Sequence, residues 1–115
     1  HPATRAFQAI RMAVNEELES LAKALALVPS VLKPGGRLLV ITFHSLEARM
    51  VKRYLRHHST PFIDDPAWPA PRPNPDYQFQ LLSRKAIQPT AEETTLNPRA
   101  RSAKLRVARL LAPES

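Results

Sequence analysis

Two stretches of the chain hold side chains that could do chemistry. In Thr42-Phe43-His44-Ser45-Leu46-Glu47-Ala48-Arg49, an imidazole and a hydroxyl stand side by side just after an apolar run. Ligands of open α/β sheets bind beyond the carboxyl ends of the strands, so His44 and Ser45 are candidates to face a substrate. A plainer reading competes, in which Ser45 caps a helix and His44 packs locally. A serine hydrolase is disfavoured, because the Gly-x-Ser-x-Gly elbow and an evident acid partner are both lacking. The second stretch is Asn97 to Arg106, where Arg99, Arg101, Lys104 and Arg106 cluster. Guanidinium forks suit phosphates, and contacts of that kind position a nucleic acid without reading its sequence. The competing reading is a solvated basic edge that discourages strand-to-strand aggregation. Arg5, near the start of the first helix, is a further candidate cation, although its own surroundings favour an ordinary helix surface.

The elements that must position these residues can be read in order. Phe7, Ile10, Val14, Leu18, Leu21, Leu25 and Val28 recur at steps of three and four, which predicts a long amphipathic helix. Pro2 suits its first turn and Thr4 its cap, and Pro29 ends or kinks it. Pro34-Gly35-Gly36 makes a turn. Residues 37–43 are then continuously apolar in their centre, which predicts a strand covered on both faces, as in a parallel sheet. A second helix runs from Ser45 to about His58, with Ser45 as cap and Glu47 at the positive end of its dipole. Its outer face is basic: Arg49, Lys52, Arg53 and Arg56.

Residues 59–79 contain six prolines and read as a proline-rich, partly extended loop within a single 1–115 unit. A strand is expected around 80–87, a loop over 89–98, and a last strand over 102–110 antiparallel to the 80s strand. On that last strand Ala103, Leu105 and Val107 fall on one face and Lys104 and Arg106 on the other. A helix competes there, since Ala, Leu, Arg and Lys all favour helices. The adjacent pair His57-His58 does not read as a metal site, because neighbouring residues on a helix diverge and no further ligand cluster stands near.

Composition narrows the class. The chain has 115 residues, which suffices for one domain, and carries a net charge of +7, which points to a polyanionic partner such as RNA or DNA. It has no cysteine, which excludes disulfides and thiolate metal sites and fits a reducing compartment. No apolar run is long enough to span a membrane, and the start has neither an initiator methionine nor a signal peptide. A lone interior strand needs parallel neighbours that this sequence does not supply, so a missing amino-terminal half is expected.

Three blocks taken together, HPATRAFQAIR, LKPGGRLLVITFHSLEARMVKRY and NPRARSAKLRVA, resemble the bacterial 16S ribosomal RNA cytosine N(4)-methyltransferases of the MraW type. The blocks come in that family's order and span nearly the whole chain. One departure is Ala48, where the family usually has an acidic residue. The resemblance implies the carboxy-terminal part of a Rossmann-like class I methyltransferase of α/β class: helix, parallel strand, helix, antiparallel strand pair. In that fold 37–43 would be the fifth strand. It further implies S-adenosylmethionine as cofactor, bound mainly by the missing part, and 16S RNA or the small ribosomal subunit as cytoplasmic partner. The reaction implied is methyl transfer to the 4-amino group of a cytosine. His44 and Ser45 would line the cytosine pocket, and Arg99, Arg101 and Lys104, with Arg106 and Arg5 as further candidates, would hold RNA. No residue here stands out as a catalytic base.

Asn74-Pro75-Asp76-Tyr77 and Asn97-Pro98 look like the Asn-Pro-Pro-Tyr motif of other amino-methyltransferases. Neither follows a buried parallel strand, so both are set aside. A non-catalytic basic RNA-binding or ribosome-assembly module remains the alternative.

Overall fold

Pro29 sits inside the first helix, and the helix does not stop there. In the computed structural model, which describes residues 2–113 with side chains at Arg5 and from Asn15 onward, α1 spans Pro2–Val31. The helix starts at Pro2, so Thr4 lies inside it and not at its cap, while the side chains of the first stripe members Phe7, Ile10 and Val14 lie outside the described ones. A proline has no N–H, so the carbonyl four residues earlier loses its helical donor. Here that carbonyl belongs to Leu25, which is only 3% exposed. The Tyr54 hydroxyl supplies the missing donor from the neighbouring helix, at 2.9 Å. Burial pushes the Tyr54 phenol above its ordinary pKa, which keeps the proton that makes this bond.

Replacing Tyr54 with phenylalanine should therefore destabilise the full-length protein by about 1–3 kcal/mol, the cost of an unpartnered buried acceptor. Adding Pro29→Ala should recover much of that loss, because residue 29 then donates to Leu25 itself. Denaturant midpoints of the four proteins in the cycle measure the coupling, and strict additivity would reject it.

After α1 the chain turns at Gly35, whose φ of +85° favours glycine. At Gly36 a Cβ would come within 2.8 Å of the Lys33 carbonyl. The turn is stitched to the last strand. Gly35 N–H donates to Leu110 O at 2.7 Å, and Leu110 N–H donates to Gly36 O at 2.8 Å.

β1 (Arg37–Thr42) follows, then α2 (Ser45–His58). Late in the chain come β4 (Phe79–Leu81) and β5 (Lys104–Leu110). The sheet order is β1-β5-β4, with β5 in the middle and antiparallel to both neighbours. β1 and β4 thus run parallel to each other. The last strand is a strand, and the competing helix does not form.

Its two faces alternate as expected, and the core side is the one that begins with Lys104 and Arg106. Ala108 and Leu110 are buried, packed with Leu25, Val51, Leu55 and Phe79. Leu38 pairs with Ala108 and Val40 with Arg106, and directly opposed residues share a face. Leu105 and Val107 therefore lie on the other face, with Ile41 and Leu39. The 80s strand is shorter than 80–87. After Leu82, whose N–H still donates to Val107 O at 3.0 Å, the chain leaves the ladder and rejoins it at an isolated bridge from Ile87 to Leu105. The Ser83 hydroxyl fills part of the gap by accepting from Val107 N–H at 3.0 Å.

The run 37–43 was expected in the sheet interior, covered on both sides. Among the described residues β1 is instead an edge strand, and α1 and α2 cover one face only. Leu39 and Ile41, 59% and 58% exposed, stand on the bare face.

The proline-rich segment is not a featureless loop. It forms a small antiparallel hairpin from β2 (Phe62–Ile63) and β3 (Arg72–Pro73). The Arg72 guanidinium lies over the Trp68 ring at 4.3 Å. Asn74, 6% exposed, fastens its base: the side-chain amide donates to His57 O and Thr60 O, and its carbonyl accepts from Asp76 N–H. A second contact holds the same junction, His57 Nε2 to Asp76 Oδ2 at 2.9 Å. The expected loop over 89–98 contains a further helix, α3 (Ala91–Leu96), capped by the Thr90 hydroxyl accepting from Glu93 N–H.

A candidate nucleobase and phosphate site at the end of β1

Beyond Thr42 the backbone leaves the sheet in an extended conformation at His44 (φ −120°, ψ 148°) and enters α2 at Ser45. Ser45 was expected to cap this helix. The cap position falls instead on His44, whose side chain makes no capping bond. Both side chains are therefore exposed without a structural task at the helix start.

They line a cleft of about 250 Å³ together with Phe43, Ala48, Ser102 and Lys104. Lys104 arrives there because β5 pairs with β1 in the register Thr42↔Lys104, which sets the two strand ends side by side. The cleft combines an aromatic ring, 51% exposed, with an imidazole, two hydroxyls and one ammonium group. Aromatic faces stack nucleobases, hydroxyls and imidazoles can bond base edges, and an ammonium attracts phosphate.

The other expected cations divide into two groups. Arg99 and Arg101 are exposed on a 3-10 turn, Pro98–Ser102, that leads directly into the cleft residue Ser102. The turn forms because Pro98 suits its first position and the Asn97 side chain accepts from Arg99 N–H at 3.2 Å. Asn97-Pro98 thus has a local structural role, as Asn74 does at the hairpin base. Arg106 is half-buried on β5 opposite Val40 and is not part of the cleft wall. Arg5 is exposed on α1 and is likewise absent from the wall. Sequence reasoning passed over Phe43, Ala48 and Ser102. The available signal for Phe43 was an aromatic residue directly at a strand's carboxyl end.

Neither histidine of the adjacent pair is placed as a metal ligand. His57 bonds Asp76, and His58 stacks on Tyr54 with ring centroids 4.1 Å apart. Among the described residues no group of three potential metal ligands occurs. No helix among them is long and apolar enough to cross a membrane. A larger cleft of about 980 Å³, at the opposite end of the sheet, is lined by residues such as Pro29, Pro34, Phe62 and Leu110 and contains no charged side chain.

Residues 1–111 match the profile of the MraW methylase family. The chain is 55% identical over 109 residues to the ribosomal RNA small subunit methyltransferase H of Azorhizobium caulinodans, covering 94% of this chain and 31% of that protein. It is 49% identical over 112 residues to the protein of that name from Thermomicrobium roseum, covering 97% of this chain and 34% of the relative. With the Caulobacter vibrioides protein it shares 50% identity over 118 aligned positions, 94% of this chain and 35% of the relative. The chain thus spans about a third of the length of the curated relatives it matches.

Proposed function

Since this chain belongs to the MraW methylase family, we propose that it is the acceptor-binding part of an enzyme that methylates the 4-amino group of a cytosine in small-subunit ribosomal RNA in the cytoplasm. The observation that carries this reading is the cleft at the end of β1, where Phe43, His44, Ser45 and Lys104 converge. An exocyclic amine is a poor nucleophile because its lone pair feeds the ring. The enzyme's task is then to hold the base so that the amine points along the line of transfer, and positioning of that kind can lower a barrier by up to about 7–11 kcal/mol. Phe43 gives the unstacked base a surface, and His44 and Ser45 bond its polar edge. Lys104, Arg99 and Arg101 hold the adjoining phosphates. The target must leave its stack to enter such a cleft.

S-adenosylmethionine supplies the methyl group in this reading. The residues described here do not fit as its cradle. Both glycines are committed to the turn before β1, and no carboxylate lines the cleft to bond a ribose. The donor is therefore assigned to the part of the relatives' length that this chain does not match. In the same reading β1 is the fifth strand of a Rossmann-like sheet. Its open edge and the bare Leu39 and Ile41 face are then covered by that remaining part, as parallel sheets require.

Incubating the full-length enzyme with small-subunit ribosomal RNA and an isotopically labelled donor should place the label on a cytosine exocyclic amine, read by mass spectrometry of the nucleosides. RNA binding with no transfer to any cytosine would favour a non-catalytic assembly module instead.

A further inference from the structure

The outer face of α2 repeats one charge where helices ordinarily alternate. Its inner face is accounted for: Val51 and Leu55 are 1% exposed in the core, and Tyr54 reaches α1. On the opposite side Arg49, Lys52, Arg53 and Arg56 are all exposed. At 100° per residue these four fall on one stripe with Ser45 and Ala48, the two residues by which α2 enters the cleft wall. The stripe therefore begins at the cleft and runs along the helix for roughly 10 Å beyond its first cation, at 1.5 Å per residue.

An ordinary solvated face does not explain this arrangement. Arg49 with Arg53, and Lys52 with Arg56, are like-charged pairs four residues apart, a spacing that destabilises a helix. Among the described residues the one ion pair is His57 with Asp76, so no carboxylate neutralises the stripe. The helix dipole accounts for Arg56 in the last turn, but not for Arg49, Lys52 or Arg53 further up. A row of cations that repel one another is relieved when a polyanion lies along it.

We propose that this stripe is a second phosphate track, which carries the RNA strand away from the cleft along α2, distinct from the phosphate contacts at Arg99, Arg101 and Lys104. This rests on the RNA-substrate reading above and extends it. The strand enters at Ser45 and its backbone follows the helix, so the track is read only by RNA that continues well past the target base.

The test uses the full-length enzyme carrying Lys52→Gln, Arg53→Gln and Arg56→Gln together. It is measured against two probes: a small-subunit RNA transcript and a short oligonucleotide around the target cytosine. On the transcript KM should rise about five- to tenfold with kcat within about twofold, and the slope of log binding constant against log salt should flatten by about 2, three single-strand phosphate contacts. On the oligonucleotide KM should not change. The charge-conserving set Arg53→Lys and Arg56→Lys should behave as wild type. Relief of like-charge repulsion should leave the melting temperature unchanged or raised, which separates the effect from unfolding.

An unchanged salt slope on the transcript overturns the track. So does an equal loss on both probes, or a loss seen only on the assembled subunit, which would point to an acidic protein. If the wild type binds the transcript but transfers no methyl group, the methylation reading fails while the binding measurements still decide the track.

Discussion

His44→Ala in the full-length enzyme should lower the transfer rate at saturating RNA by about a hundredfold, the scale of losing one positioning contact at the reacting centre. RNA affinity should stay within about twofold, because phosphate contacts rather than base contacts dominate it. His44 occupies the last extended position before α2, and its ring caps nothing. It stands between Phe43 and Ser45 in the cleft wall. A side chain so placed can act on a bound base but contributes little to the fold. Single-turnover measurement separates transfer from binding. A wild-type rate would return His44 to an ordinary helix-boundary residue.

The second large effect should come from Arg99→Ala with Arg101→Ala. Both arginines are exposed on the turn that ends at Ser102, so neither substitution disturbs the core. Loss of two phosphate contacts should weaken binding of a target-length RNA by about twentyfold, near 1.8 kcal/mol in all. It should also flatten the salt dependence by about 1.4 in slope, for two single-strand contacts. An affinity and slope equal to wild type across a salt series would remove these residues from the interface. Opposite responses in the two variants of Arg99–Arg101 and His44, one on binding and one on rate, would divide the site into a grip and a reaction centre.

Much of the architecture was legible because local rules and packing agree. Gly35-Gly36 marked the turn, the apolar run marked β1, and α2 ends where its pattern placed it and begins one residue earlier, with the cap at His44 instead of Ser45. On β5 the alternation marked two faces but not which of them is buried. Val107 and Ala108 are consecutive apolar residues, so Leu105-Val107 and Ala108-Leu110 imply opposite phases, and only packing against Leu55 and Phe79 decides between them. The truncation of β4 depends on an excursion of the chain after Leu82, which no residue in QLLSRKAI announces. α3 could have been found, since Thr90 followed three residues later by Glu93 is a helix-start signature.

The site was half legible for a similar reason. His44 and Ser45 are neighbours in the chain, so their association could be read directly. Lys104 joins them only through strand register, which depends on the whole β1–β5 ladder. Arg106 looked equivalent to Lys104 in the string, yet two residues along a strand carry it some 7 Å down the sheet and away from the cleft.

The Asn74 clamp has a consequence for how the protein tolerates change. Its bonds tie Thr60 to Asn74 and Asp76, so the chain leaves and returns to the end of α2 at nearly one point. Everything between, out to the Trp68 tip, hangs from that knot. Residues gained or lost at the tip shift neither Phe79 nor the strand it begins, which makes this hairpin a natural place for length to drift between species and for an affinity tag to be grafted.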